Sequence, residues 1–141
     1  PAVQRALLLA AASGSARALA RAENVAGLVA SGEERVRHLR SALTHAAEPA
    51  ERMAVLNNLA AAVADPEEAV ALAREALELA IELGDRHLMA VLHNTLADVL
   101  HRAGQSEASM AALTDAVSLF TEIITGEGEP WAAEVWLLTE W

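Results

Sequence analysis

Residues 63–70 read VADPEEAV, and residues 29–36, one interval of 34 earlier, read VASGEERV. The likeness extends outward from both stretches. Laid at that offset, residues 24–47 match residues 58–81 at 11 of 24 positions, where this composition gives about three by chance. The matches include Asn24 with Asn58, Ala26 with Ala60, Glu33-Glu34 with Glu67-Glu68, Ala42-Leu43 with Ala76-Leu77, and Ala46 with Ala80. Carried backward, the offset lays residues 1–13 on 35–47 and Gly14-Ser15 on Glu48-Pro49. The chain therefore repeats a unit and opens in the second half of one.

The repeating letters are helical. Asp65-Pro66-Glu67-Glu68 supplies an N-cap, a proline at the first helical position and acids facing the positive end of the dipole. Gly84-Asp85 is a stop followed by a cap, and Gly104 is a further stop with Ser106 as the next cap. Ser13-Gly14-Ser15, Ser31-Gly32 and Glu48-Pro49 break the earlier runs. Helices are predicted over 2–12, 15–30, 33–47, 49–64, 66–83, 86–103, 106–125 and 130–140, with antiparallel neighbours because the connections are short. Within 66–83, Ala69, Leu72, Ala73, Ala76, Leu77 and Ala80 form one apolar stripe; within 86–103, Leu88, Leu92, Leu96, Val99 and Leu100 do the same.

A 34-residue period with two helices per unit resembles the tetratricopeptide repeat, and the third unit carries the resemblance best. In HNTLADVLHRAGQSEASMAALTDAVSLF at 93–120, Leu96-Ala97 stands where the family has Leu-Gly, Leu100 where it has Tyr, and Gly104 at the turn. Ser109 takes the small place of the second helix, Leu113 its aromatic place and Ala116 its second alanine. Equivalent places are Leu59-Ala60, Val63, Ala69, Ala73 and Ala76 in the middle unit, and Val25-Ala26, Val29, Arg35, Leu39 and Ala42 in the first. Arg35 departs from the pattern at a small-residue place and is expected to snorkel outward. The longer link LELAIELGDRH is similar to the extended-helix variant of bacterial regulators and signalling ATPases. The resemblance implies an all-α, right-handed α-solenoid of about three and a half units over residues 1–125, with 126–141 a loop and a Trp-rich capping helix. It also implies a cytoplasmic, non-catalytic protein-interaction, scaffold or ligand-sensing module within a larger bacterial regulator or signalling protein.

Composition agrees and narrows the function. Alanine fills 34 positions and leucine 21, against one Phe and no Tyr; small helix formers let backbones approach closely. The formal charge is −10 and every cation among Lys and Arg is an arginine. An acidic, lysine-free surface excludes nucleic acid, which needs a basic face, and disfavours anionic membrane. No Cys means no disulfide, thiol nucleophile or thiolate metal site. No apolar run reads as the ~20 residues of a membrane span. Residues 5–16 have a signal-peptide flavour, but the helix reading accounts for the same letters.

No nucleotide-binding or nucleophile-elbow motif occurs. The paired glutamates sit in first helical turns, where they favour the dipole. His93 and His101 share a face two turns apart, too far to chelate alone, and Asp98 with His101 reads as a solvated pair. No enzyme, metal or cofactor is expected. A groove is the better candidate. The resemblance places on its concave face Glu23, Gly27 and Ser31; then Ala54, Asn57, Ala61 and Asp65; then Val91, Asn94, Asp98, His101 and Arg102. Gly27 and Ala61 would floor it, Asn57 and Asn94 would serve a peptide backbone, and Arg102 would be its cation. The partner is a protein or peptide, recognised through Asn57, Asn94, Asp98, His101 and Arg102. The terminal PWAAEVWLLTEW holds all three tryptophans. Trp131, Val135 and Leu138 share a stripe, while Trp136 lies roughly 140° from Trp131. This helix either caps the array or leaves one side exposed as an interface, through Trp131, Trp136 and Trp141, to a second copy in a homo-oligomer or to the next helix of a longer parent protein.

Overall fold

Helix boundaries follow the punctuation of the sequence. The structure, a computed structural model, describes residues 1–126, so the expected eighth helix and Trp131, Trp136 and Trp141 lie outside the described residues. Seven helices are present among them: α1 (Ala2–Ser13), α2 (Ala16–Val29), α3 (Gly32–His45), α4 (Pro49–Ala62), α5 (Pro66–Leu83), α6 (Arg86–Arg102) and α7 (Ser106–Gly126). No strand occurs among the described residues. Asp65 and Asp85 cap α5 and α6 by accepting from the N–H groups of Glu68 and Leu88, each at 3.1 Å. Gly84 closes α5 in the left-handed conformation, φ 68°, which only glycine adopts without strain. Ser106 was expected as a cap and instead opens α7. The turn explains the shift: the Gln105 N–H reaches back to the Leu100 carbonyl at 2.9 Å, closing α6, while the Gln105 carbonyl already accepts from Ser109.

The helices pair as the period requires. α2–α3, α4–α5 and α6–α7 are antiparallel hairpins, α1 packs on α2, and α3 on α4 and α5 on α6 join one hairpin to the next. α2 also touches α4, and α4 touches α6, so the first helices of successive units line one side. The period is visible as direct contact. Asn58 Nδ2 donates to Asn24 Oδ1 at 3.0 Å and Arg17 Nε to Glu51 Oε1 at 2.7 Å, both pairs 34 residues apart. Repeat-equivalent residues meet because stacking places each first helix beside the next. The molecule is thus a tetratricopeptide-like helical solenoid in which α1 stands as half a unit.

Alanine sets the spacing and leucine fills what remains. Ala69, Ala73, Ala76 and Ala80 of α5 have no exposed surface, and the largest fully buried side chains are Leu39, Leu56, Leu59, Leu100 and Val99. Each such leucine stabilises the fold by about 1.5–3 kcal/mol through burial alone. One cluster runs from Leu39 through Leu56, Leu77 and Leu96 to Ala112, crossing all three hairpins. A smaller one joins Ala20, Ala42, Ala46 and Val55 where α2, α3 and α4 meet. Arg35 lies exposed as expected, folded back so that its Nε donates to the Ala30 carbonyl at 2.9 Å.

α7 corrects one reading of the sequence. Ser106–Thr125 is long and apolar enough to cross a membrane by length and composition, with mean hydropathy 1.2, and only 17% of that window is buried. The expectation that no apolar run reaches the length of a membrane span therefore does not hold by length and composition; Ala112 and Ala116 of α7 are buried and Leu113 packs against the main cluster, while Met110 and Val117 are exposed.

Candidate functional site

The face shared by the first helices carries the candidate site. Between α2 and α4 lies a cleft of about 370 Å³ lined by Arg17, Ala20, Arg21, Asn24, Glu48, Ala50, Glu51, Ala54 and Val55. On α2 these residues recur at one-turn spacing, Arg17, Ala20, Arg21 and Asn24, so one helical stripe supplies them all. Both arginines converge on Glu51 Oε1, Arg17 at 2.7 Å and Arg21 at 3.3 Å. Between α4 and α6 the groove continues as an apolar cleft of about 170 Å³, lined by Met53, Ala54, Asn57, Asn58, Leu88, Val91 and Leu92.

One polar atom stands out there. Asn57 Oδ1 is buried and has no hydrogen-bond partner. An orphaned buried acceptor costs about 1–3 kcal/mol, and folds satisfy nearly all such groups. The first unit shows what is missing. At the equivalent position Glu23 Oε2 meets His38 Nδ1 at 2.6 Å, whereas the residue 34 beyond His38 is Leu72, which has nothing to donate.

The expected groove residues divide. Ala54, Asn57 and Val91 do line the apolar cleft. Glu23 does not reach a groove: His38 of α3 holds it inside its own hairpin. Gly27 is no floor either. A Cβ there would sit 2.6 Å from Leu39 Cγ, so the glycine exists to let α3 approach α2. Arg102 is not the groove's cation. Its guanidinium donates to the Ala60 carbonyl at 3.1 Å and lies 3.5 Å from Asp98, pinning α6 to α4; the cations beside the groove are Arg17 and Arg21. Asp98 therefore pairs with Arg102 rather than with His101, which is exposed. Asn94 is half-buried and already engaged within the protein. His93 and His101 do not act together, since His93 Nδ1 is buried 4.0 Å from Asp115 of α7. Among the described residues no group of three or more His, Cys, Asp or Glu could hold a metal ion.

Sequence reasoning missed Met53, Leu88 and Leu92 in the cleft and the role of Asn58. The signal for Asn58 was present, because asparagine recurs one period apart at 24 and 58. The stacked amides mark the groove line one residue further along the chain than the position carried over from the resemblance.

The family model for the tetratricopeptide repeat matches residues 51–122, from within α4 almost to the end of α7. Repeats of this kind are non-catalytic and generally mediate protein–protein interaction. Comparison with curated proteins and with solved structures gave no match. The matched span is just over half of the 141 residues, and the hairpins it covers are joined to an earlier one on the same 34-residue interval, so the chain belongs to the tetratricopeptide repeat family.

Proposed function

We propose that this chain binds a peptide segment of a protein partner in the groove between α4 and α6, with one apolar side chain in the cleft and a backbone N–H on Asn57. The observation that supports this is the orphaned Asn57 carbonyl at the wall of an otherwise apolar cleft. The fold makes no use of that acceptor, and turning the amide about χ2 presents it to a chain lying alongside. Asp98 and His101, exposed further along α6, would meet the same peptide beyond the cleft. In the extended-helix relatives that the sequence resembles, such arrays regulate an attached domain, and the same regulatory role belongs to this proposal.

The test separates a binding residue from a merely structural one. Peptides selected on the wild-type chain from a random library are titrated against Asn57→Leu and Ala54→Trp. Removing the orphan should raise stability by about 1 kcal/mol while weakening the peptide about tenfold, the worth of one hydrogen bond. Ala54 is exposed, so the tryptophan fills the cleft without disturbing the core. Affinity unchanged in both variants would overturn the groove assignment.

A further inference from the structure

We propose that the partner segment carries an acidic side chain three positions from its apolar anchor, and that Arg17 and Arg21 of α2 receive it. This rests on the groove reading above and adds the register. The repeat shows how the groove changes along its length. The apolar cleft between α4 and α6 takes Leu88 and Leu92 from α6. Their repeat equivalents are Glu51 and Val55 in α4, and Arg17 and Arg21 in α2. One helical stripe thus passes from two leucines through a glutamate and a valine to two arginines, always on the face that lines the groove. Ala54 lines both clefts, so a ligand laid across α4 reaches the two together.

Charge at the α2 end favours an acid. Arg40, Arg52 and Arg86 each hold an acid of their own, whereas Arg17 and Arg21 share the single oxygen Oε1 of Glu51. Glu51 is 14% exposed and the arginines 61% and 64%, so the acid is engaged while the cations stay reachable. Both approach it through Nε. The terminal amino groups of each guanidinium are left for a second carboxylate, which such a group meets with two parallel hydrogen bonds. The other acid in the lining, Glu48, is exposed and pairs with neither arginine. On a chain of net charge −10, an acid of the partner is repelled over most of the surface, so the arginine pair fixes where it lands. The spacing follows from the step of the array. Neighbouring packed helices lie about 8–10 Å apart, and the two clefts are one such step apart. A polyproline II segment rises about 3.1 Å per residue with three residues per turn. Side chains three apart then share one side at a separation of about 9 Å, and the backbone N–H groups stay free for Asn57.

Peptides selected on the wild-type chain from a random library are resynthesised with acetylated and amidated ends, so that no terminal charge remains. They should share an Asp or Glu three residues from a large apolar side chain. Changing that acid to Gln should weaken binding to the wild-type chain about tenfold, and moving it by one residue should do the same. The gap between the acidic and the Gln peptide should narrow in Arg21→Gln. It should close in Arg17→Gln/Arg21→Gln/Glu51→Gln, where all three charges are removed together and no buried acid is left unpaired. Glu48→Gln should tighten the acidic peptide about twofold and leave the Gln peptide unchanged, a readout that a merely structural role of the arginines would not move. The urea midpoint of each variant checks its fold. Peptides that lose affinity with Ala54→Trp yet carry no such acid, or keep the full gap in the triple variant, would overturn the register while the groove stands. Peptides indifferent to Ala54→Trp would remove the groove and the register with it. Binding that disappears on amidation would assign the arginines to a chain terminus and overturn the proposal as well.

Discussion

The first two hairpins are spelled almost alike and sit in different surroundings. Val25 and Val29 of α2 are 51% and 68% exposed, whereas Leu59 and Val63, their counterparts one period on, are 0% and 3% exposed. The residue types hardly differ; the neighbour does. Leu59 and Val63 share a cluster with Leu39, and Val36 packs against it, both from the helix that precedes α4. In α1, which precedes α2, those two places hold Arg5 and Ala2, too polar and too small to cover an apolar face. Burial in a stacked array is thus a property of adjacent units and not of a residue in its own unit.

The largest consequence is a contrast between equivalent truncations. Leu59→Ala should cost about 2–5 kcal/mol, because it removes buried methyl groups and leaves a cavity. Val25→Ala, at the same repeat position, should stay within about 0.5 kcal/mol. Urea denaturation at constant m measures both. Equal losses would mean that the α2 face is covered after all, and the comparison between the units would break.

A smaller effect sharpens the comparison at the helix–helix contact inside each hairpin. The first unit pairs Gly27 with Leu39, and the second has alanine at both equivalent places, 61 and 73. Gly27→Ala brings a Cβ to 2.6 Å from Leu39, whose side chain is fully buried and has no room to retreat. Overpacking of that kind costs about 1–3 kcal/mol, partly offset by the roughly 1 kcal/mol by which alanine exceeds glycine in a helix. Gly27→Ala should therefore destabilise the wild-type chain. In a Leu39→Ala background, where the pair then reads as it does in the second unit, the same change should stabilise. A double-mutant cycle reads the reversal directly, and the same sign in both backgrounds would show that Gly27 is not reserved for Leu39.

These contrasts also explain how far the sequence carries. The hairpins were legible because the signals that make them are local: Asp65-Pro66, Gly84-Asp85 and the i, i+3, i+4 stripe of α5 each act within one or two turns. Offset 34 was legible because stacking imposes it on every unit, and the Asn24–Asn58 and Arg17–Glu51 contacts are its direct expression. The groove was legible only in part. Asn57 was placed on the groove face and does line the cleft between α4 and α6, but Glu23 at the equivalent place is held by His38, a contact set by a residue of another helix. Arg102 was misjudged for the same reason, since its partner carbonyl belongs to Ala60, forty-two residues away and without any side-chain signature. Arg17 and Arg21 were overlooked because the register carried over from the resemblance began at Glu23. What the sequence conceals is which neighbour each polar side chain meets.

The smallest effect tests whether the two units differ even where they look most alike, at the start of the second helix. Asp65 and Ser31 are repeat equivalents and both are good capping residues. Asp65 accepts from the Glu68 N–H at 3.1 Å, while the Ser31 hydroxyl makes no capping bond. The next residue accounts for the difference. Pro66 fixes φ near −65° and sets the first turn under the carboxylate, whereas Gly32 turns through φ 59°, so the first turn of α3 leaves the serine at another angle. Asp65→Ala should then cost about 1 kcal/mol, and Ser31→Ala no more than a few tenths, both read from the urea midpoint. A loss at Ser31 as large as that at Asp65 would show that the hydroxyl caps α3 in solution, and that the two hairpins begin their second helices by the same means.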